Sequence, residues 1–548
     1  MTASFHMRAV AILSLAALSA AAQEPVSIRV DARAVVGPWR PVWSYFGYDE
    51  PNYTTAYNGR KLIDELAQLG PVHIRAHNLL TSGDGTPALK WGSTNAYTET
   101  ADGTPVYNWK ILDQIFDAWV HAGVTPFVEI GFMPEALSTG PQPYRHSWPA
   151  TPITAGWAYP PKDYQKWAEL VRQWVSHEVE RYGLPEVKTW SWEVWNEPDI
   201  YYWQGTPEEY YKMYDVTARA VKSVSPLLCV GGPATTGPDG PKGAAFLRQF
   251  LEHCARTGAP LDFVSYHAKG RTELVDGHVR MGLATNLQGV AAGLDIVMSF
   301  PQFRDLPIIL SESDPEGCGA CTARTHPEKA YRNGALYPCY TAAALNNILK
   351  LADRDKANVA GMLTWAFEFE GQPYFDGFRT LATNGIDKPL LNLFRMAALM
   401  HGDRVRVESS GAVSLDDILR SGVLERPDID ALATKWDRGV SVLLWNYHND
   451  DVAAPDTPVS LALVRLPKGV NRVQVRHYRI DADHSNAWTV WKQMGSQQNP
   501  TPEQYARLQA AGQLQSLDAG QSLAAAGGRV NLSFPLPRQA VSLVLVSW

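Results

Sequence analysis

A regular alternation of strand and helix patterns constrains the fold of this chain most. Short runs rich in β-branched and aromatic residues alternate with segments whose apolar residues recur every three or four positions, which is typical of βαβ units and a parallel sheet. The predicted strands are 43–47, 72–76, 125–130, 189–195, 227–231, 262–267, 307–311 and 359–367. Strands in this number, each followed by a helix, predict an α/β fold with a closed (β/α)8 TIM barrel.

The pattern changes near residue 402. Strand patterns then follow one another without helices of βαβ length, at 440–444, 459–464, 470–478 and 541–547. This order predicts an accessory antiparallel β-sandwich, which a chain of 548 residues has the length to form beside a barrel. We therefore predict an N-terminal strand segment at 23–40 that joins the sandwich, a catalytic barrel at 41–401 and a β-sandwich domain at 402–548.

The first 22 residues have the features of a signal peptide. Met7-Arg8 gives a basic start, residues 9–18 form an apolar run, and Ala20-Ala21-Ala22 offers a small-residue cleavage site before Gln23. Beyond this segment, the sequence has no stretch of the roughly 18 uncharged apolar residues that a membrane span needs. We expect an exported, soluble protein that is periplasmic or secreted.

Charge and aromatic content narrow the class of partner. A net charge of -7 and a pI near 6.1 provide no basic stripe, which argues against nucleic acid as the main partner. The chain carries 19 Trp and 23 Tyr, and such rings stack on the apolar faces of sugars. Carbohydrate is therefore one interpretation of the excess, and an aromatic-rich core is the other. The sequence indicates no oligomeric state.

The cysteines suggest a local crosslink. In an oxidising compartment, the Cys318-x-x-Cys321 pair, with Cys339, indicates a disulfide that ties down a loop, while at least one thiol stays free. His326 offers a zinc site as the alternative, but its spacing to these cysteines lacks the second close ligand pair of a structural site. We expect neither a metal nor another cofactor.

Chemistry is expected where the carboxyl ends of the barrel strands converge. Asn196 and Glu197 follow the fourth predicted strand, and Glu312 follows the seventh. A single glutamate at a strand end is more often a solvated carboxylate, but two that face each other across a barrel mouth provide the pair that glycoside hydrolysis needs. Other polar or aromatic residues at predicted strand ends are His77, His267 and Trp365.

Several segments resemble glycoside hydrolase family 39, a family of retaining TIM-barrel glycosidases that includes β-xylosidases and α-L-iduronidases. These segments are WNEPD at 195–199, ILSES at 309–313, HIRAHNLL at 73–80, LDFVSYHAKG at 261–270, YRIDADHSNAWTVWKQMG at 478–495 and NPTPEQY at 499–505. The resemblance extends over nearly the whole chain after the signal segment. It implies a metal-independent glycosidase with a TIM barrel and a β-sandwich.

Carried over residue by residue, the resemblance implies a role for each site residue. Glu197 becomes the general acid/base and Glu312 the nucleophile, and we expect their environments to push the two pKa values apart. The resemblance further implies that Asn196 bonds the 2-hydroxyl of the sugar. His77 and His267 would bind other hydroxyls, above Trp365 as a stacking floor. Either histidine alone would more often be a satisfied buried group.

Some positions resemble the iduronidases rather than the xylosidases. Ser313-Asp314-Pro315 follows the nucleophile as in that branch, and Lys269 and Arg379 match cations that would recognise a uronate. The acidic residue that iduronidases carry on the eighth strand is absent from LTWAFEFE. As an alternative, Lys269 and Arg379 are solvated or paired with Glu370 or Asp376.

The sequence therefore predicts a retaining exo-glycoside hydrolase that removes terminal β-D-xylosyl-type residues from oligosaccharides by double displacement. A uronide-directed, α-L-iduronidase-like enzyme is the alternative. A carbohydrate-binding protein without catalysis is a remote third hypothesis, because such a protein has no reason to retain both glutamates.

Overall fold

The structure is a computed structural model that describes residues 24–140, 145–146, 153–154 and 156–548. The predicted strands form a closed parallel barrel, so the TIM-barrel prediction is confirmed. The barrel strands, numbered β1 to β8, are Tyr45–Tyr48, His73–Ala76, Thr125–Ile130, Ser191–Val194, Cys229–Thr235, Phe263–His267, Ile308–Glu312 and Val359–Trp365. The barrel closes where β8 pairs in parallel with β1. The predicted signal peptide at 1–22 lies outside the described residues.

One long helix follows each barrel strand. These helices, α1 to α8, are Tyr57–Ala67, Lys110–Ala122, Tyr164–Tyr182, Pro207–Val224, Pro241–Thr257, Leu283–Met298, Leu336–Asp355 and Pro389–Ala398. A short helix, Leu184–Val187, follows α3. The start of α4 is a capping box: Thr206 Oγ1 accepts the Glu209 amide at 3.1 Å, and the Glu209 carboxylate accepts the Thr206 amide at 2.8 Å.

The strand that differs most from its predicted bounds is β5. The pattern predicts an end at residue 231, but β5 continues through Gly232 and Pro233 to Thr235. A Gly-Gly-Pro sequence predicts a turn, because glycine weakens a strand and proline lacks an amide donor. Its position inside a closed barrel overrides that local preference. The extension matters because Ala234 O accepts the Glu197 amide at 2.8 Å.

The second unit is rich in β-structure, as predicted, and its strands join edge to edge in one ten-stranded sheet. The strands are Val26–Pro38, Asp403–Ser409, Asp428–Trp436, Gly439–Tyr447, Thr457–Val464, Arg472–Ile480, Gln515–Ser516, Gln521–Ala524, Val530–Leu536 and Val541–Ser547. Val26–Pro38 pairs antiparallel with Asp403–Ser409 and parallel with Thr457–Val464. Side chains from most of these strands, among them Ile28 and Val442, share one buried apolar core.

Several short elements complete the fold. Helices Leu415–Ser421, Ala487–Gln493 and Pro502–Gly512 belong to the C-terminal part. The short hairpins pair Tyr97–Glu99 with Pro105–Tyr107, Arg145–His146 with Ile153–Thr154, Thr272–Val275 with His278–Met281, and Ala382–Thr383 with Ile386–Asp387. Short 3-10 helices are Pro51–Thr55, Glu135–Leu137 and Pro327–Asn333. Within the described ranges, no helix combines the length and the apolar character that crossing a bilayer requires.

The loop after β7 carries the predicted local disulfide, which joins Cys318 to Cys321. Cys229, Cys254 and Cys339 are free thiols. The bonded sulfurs are not thiolates, so the zinc alternative is not supported. Two buried arginines hold the same loop: Arg332 donates to Cys321 O at 3.0 Å, and Arg379 donates to Glu316 O at 2.8 Å. This loop therefore has a fixed shape beside the barrel mouth.

Candidate active site

The carboxyl ends of the barrel strands surround a cavity of about 250 Å³. The predicted site residues on its wall are His77, Asn196, Glu197, Lys269, Glu312, Trp365 and Arg379. His267, the remaining one, bonds Glu197 through Nδ1 at 2.8 Å. The strand ends thus bring together residues from β2, β4, β6, β7 and β8, although up to 316 positions separate interacting residues such as Asp49 and Trp365.

The two glutamates lie close together. One carboxylate oxygen of Glu197, one of Glu312 and one ring nitrogen of His267 are all within 4.8 Å of one another. Glu197 has a φ of 42°, a left-handed conformation that side chains other than glycine adopt at a cost of roughly 1 to 3 kcal/mol. These two carboxylate oxygens lie closer together than the carboxyl groups of inverting glycosidases, which are about 6.5 to 9.5 Å apart.

Lys269 connects the two carboxylates. Its ammonium nitrogen lies 3.2 Å from Glu197 Oε1 and 2.6 Å from Glu312 Oε2. Burial alone would raise the pKa of Glu197, but Lys269 and the hydrogen bond from His267 outweigh it and hold that pKa at about 2. Burial of Glu312 is likewise outweighed by His267, Lys269 and Arg75, so its pKa is well below the ordinary value. Lys269 thus lowers the pKa of both carboxyl groups, and the expectation that the two pKa values diverge stays a prediction.

Arg75, which the sequence analysis missed, organises the floor of the site. It is fully buried on β2, and its guanidinium contacts Glu193 at 2.5 Å, Glu129 at 2.9 Å and Glu312 at 3.4 Å. It also donates to Asn196 Oδ1 at 3.1 Å, which leaves the Asn196 amide group as a hydrogen-bond donor. A signal was available in the sequence, because side chains alternate between the two faces of a strand. Charged residues at the inward-facing positions of barrel strands need partners on neighbouring strands.

Asp49 and Lys90, which the sequence analysis also missed, line the cavity as a pair. Asp49 follows β1 and forms a close ion pair with Lys90, which lies in the long segment between β2 and α2. Trp365 Nε1 donates to Asp49 Oδ2 at 3.1 Å, and His77 Nε2 lies 3.6 Å from Asp49 Oδ1. Asp49 occupies a strand end like the other site residues, and this position was the signal that could have found it.

The structure corrects the predicted partners of Lys269 and Arg379. Arg379 is buried and donates to Asp314 Oδ2 at 2.8 Å, while Lys269 contacts the two central glutamates. Glu370 instead accepts the Asn58 amide at 2.7 Å, and Asp376 pairs with Arg324 at 2.8 Å. Neither cation is left without a partner, because the barrel mouth places each beside a buried carboxylate.

Glu197, His267 and Glu312 have the spacing of a metal-ligand group within the part of the chain that the structure describes. The Lys269 ammonium already lies 3.2 Å and 2.6 Å from two of these three ligands. A metal ion at the centre of this group would have to displace that ammonium.

Comparison with known proteins agrees with this geometry. The family described as "Glycosyl hydrolases family 39" matches residues 26–530. A β-xylosidase of Geobacillus stearothermophilus is 29% identical over 501 residues, which cover 88% of this chain and 87% of the relative. An α-L-iduronidase of Mus musculus is 25% identical over 535 residues, which cover 90% of this chain and 77% of the relative.

Solved structures give the same fold. A monomeric β-xylosidase from Caulobacter crescentus CB15 superposes with a TM-score of 0.76 at 24% identity, covering 95% of this chain and 99% of that one. A family 39 enzyme from Xanthomonas axonopodis pv. citri superposes with a TM-score of 0.75 at 23% identity, covering 95% and 97%. Because the family match spans both the barrel and most of the second unit, this chain is a glycoside hydrolase and belongs to glycoside hydrolase family 39.

Proposed function

We propose that this enzyme is a retaining exo-glycosidase that removes a terminal, uncharged pyranosyl residue of the β-D-xylosyl type from oligosaccharides. The observation that carries the proposal is the glutamate pair, with one oxygen of each within 4.8 Å, on the wall of a cavity of about 250 Å³. Pockets for drug-sized ligands hold about 300 to 1,000 Å³, so this cavity suits a single sugar at a chain end.

Two displacements complete the proposed reaction. Glu312 attacks the anomeric carbon as the bond to the leaving oxygen breaks, and Glu197 gives its proton to that oxygen. The product of this step is a glycosyl ester on Glu312 and an ionised Glu197. Glu197 then takes a proton from water as the water oxygen attacks the anomeric carbon and the ester bond breaks. Two inversions return the original anomeric configuration.

Lys269 has opposite effects on the two proposed roles of the glutamates. It stabilises the ionised nucleophile Glu312, but it also opposes the proton that Glu197 must carry. We propose that the substrate separates Lys269 from Glu197 when it binds, since the leaving oxygen has to approach Glu197 on the cavity side. Loss of the ammonium contact removes the strongest influence that lowers the pKa of Glu197, so the effect of burial, which favours the acid form, gains weight.

The charge balance favours a neutral sugar. Each cation on or beneath the cavity wall has a carboxylate partner: Lys90 has Asp49, Lys269 has Glu197 and Glu312, Arg379 has Asp314, and Arg75 has Glu129 and Glu193. These carboxylates outnumber the cations. A substrate carboxylate would therefore find each of these cations already neutralised, and burying an unpaired charge is unfavourable.

A uronide is the second candidate, and Lys269 is the observation that favours it. Its ammonium reaches the cavity wall and, in the part of the chain that the structure describes, bonds only the two carboxylates of the proposed reaction. A substrate carboxylate that displaced Glu197 from Lys269 would gain a cation. The α-L-iduronidase relatives support the same candidate.

The substrate class is tested by comparing kcat/KM for 4-nitrophenyl β-D-xyloside with that for an aryl α-L-iduronide. We expect the xyloside to be preferred by about a hundredfold or more, because burial of an unpaired carboxylate costs several kcal/mol. NMR of the first-formed sugar should show the β-anomer. Preference for the iduronide, or a first-formed α-anomer from the xyloside, would contradict the proposal.

The roles of the glutamates are tested with Glu312→Ala and Glu197→Ala. We expect Glu312→Ala to lose activity on the order of 10⁴-fold or more, and Glu197→Ala to lose about 10² to 10⁴ on poor leaving groups. Azide should restore turnover of a dinitrophenyl glycoside by Glu197→Ala and yield a β-glycosyl azide. Glu370→Ala, which removes a carboxylate that is not on the cavity wall, is the control. An active Glu312→Ala enzyme would overturn the mechanism.

Removal of the Lys269 charge should change the pH profile. Lys269→Met removes the cation that lowers the pKa of Glu197, so the proton on Glu197 is retained to higher pH. We expect the basic limb of kcat/KM for the xyloside to move to higher pH by at least about one unit. Lys269→Arg keeps the charge and should leave the limb in place. A limb that stays fixed or moves to lower pH in Lys269→Met would refute the charge argument.

We propose that the enzyme is exported, since residues 1–22 have the basic, apolar and small-residue regions of a signal peptide. Expression of the full chain in a Gram-negative host should yield a periplasmic protein whose N-terminal residue is Gln23. Recovery of the protein in the cytoplasm with Met1 retained would show that the segment is not cleaved.

A further inference from the structure

We propose that Asp49 and Lys90 form a recognition pair for the two adjacent hydroxyl groups on C3 and C4 of the terminal sugar. The inference rests on the proposed function, because it concerns the same cavity and a neutral pyranoside substrate. It assigns sugar selection to a charged pair that takes no part in bond breaking.

The topology places the pair on the sugar side of the cavity. Asp49 follows β1, which lies opposite β5 in a closed eight-stranded barrel. Glu197, the proposed acid, follows β4 next to β5, so the leaving group has to lie on that side of the cavity. A sugar whose C1 lies between Glu312 and Glu197 therefore directs its far edge, C3 and C4, toward Asp49.

The contacts leave donors and acceptors for hydroxyl groups. Asp49 Oδ2 accepts from Lys90 and, at 3.1 Å, from Trp365 Nε1. Asp49 Oδ1 is 3.6 Å from His77 Nε2, which is too long for a hydrogen bond, so among the described residues its lone pairs remain for a hydroxyl donor. A lysine ammonium has three donors, and contact with Asp49 uses one of them. A carboxylate oxygen beside an ammonium group matches two neighbouring hydroxyls.

The chain fixes Lys90 firmly. Its backbone amide donates to Glu50 Oε1 at 2.5 Å, and its φ of 57° lies in the left-handed region that a lysine seldom adopts. Asn78 donates to Asp49 O at 2.9 Å and so fixes the other partner. Each side chain of the pair is only 8% exposed. Buried ion pairs contribute little to stability by themselves, and this one lies on the wall of the catalytic cavity.

The pair also explains two features of the proposed substrate. Because Asp49 neutralises Lys90, the far end of the cavity offers hydrogen bonds without an unpaired positive charge, and this suits hydroxyls better than a carboxylate. Hydroxyls that both partners bind cannot carry a further sugar. Recognition by this pair therefore favours a residue at the end of a chain.

The test uses 4-nitrophenyl β-D-xyloside with its 3-deoxy and 4-deoxy analogues. We expect each deoxy analogue to lower kcat/KM of the wild type about ten- to a hundredfold, the usual size for a hydrogen bond to a charged group. The Asp49→Asn/Lys90→Met double variant leaves no unpaired buried charge. It should lose a similar factor on the parent xyloside and discriminate against the deoxy analogues by less than about threefold.

The single variants Asp49→Asn and Lys90→Gln are measured in parallel, with melting temperatures, so that a folding defect in one variant leaves the test intact. Lys61→Met removes a lysine that contacts Asp387 at 3.5 Å outside the cavity, and it should behave like the wild type. If folded Asp49 and Lys90 variants still lose as much kcat/KM on the deoxy analogues as the wild type does, the inference is overturned.

Failure of the two proposals would look different. If the wild type hydrolyses the xyloside but the deoxy penalties persist in the variants, the recognition pair alone is refuted. If the wild type ignores xylosides and hydrolyses another aryl glycoside, the proposed sugar is wrong. The deoxy analogues of that other glycoside then test the pair.

Discussion

The buried Arg75 guanidinium is the interaction on which the active site depends. It joins β2 to Glu129 on β3, Glu193 on β4 and Glu312 on β7, all within 3.4 Å. Without it, three carboxylates would face one another inside the barrel, where removal of one partner from a buried ion pair costs about 3 to 5 kcal/mol. Arg75 therefore stabilises the barrel mouth and also keeps the proposed nucleophile ionised.

Arg75 and Lys269 act on the same carboxylate in different ways. Arg75 is enclosed by the barrel strands, so its charge is a permanent part of the floor. Lys269 lies on the cavity wall and bridges Glu312 to Glu197, where the cavity gives a substrate access to it. In the proposed mechanism, a fixed cation beside the nucleophile and an exchangeable cation beside the acid let one compact site keep one carboxyl group ionised and the other protonated. The low pKa of Glu197 in this structure follows from the Lys269 contact together with the hydrogen bond to His267.

The sequence predicts the barrel well because hydrophobic periodicity is a local signal. It also predicts that Glu197 and Glu312 meet at the barrel mouth, because a barrel brings strand ends together. It fails for Arg75 and for the pair of Asp49 with Lys90, whose partners lie on other strands or in a long loop and carry no local pattern. The same limit applies to Arg379, whose partner Asp314 is 65 positions away. Charge pairing across a barrel is a property of the closed fold rather than of any segment.

The charged floor requires support from the rest of the molecule. Buried ion pairs bring little net stability, so the core around them must supply it. Trp119, Trp174, Trp190 and Trp192 are fully buried around β4 and the neighbouring helices, and large aromatic side chains contribute most to burial of apolar area. The aromatic excess of this chain is therefore largely structural, and on the cavity wall Trp365 also donates to Asp49. An apolar shell that holds paired charges in place lets the barrel mouth keep its geometry while protons move.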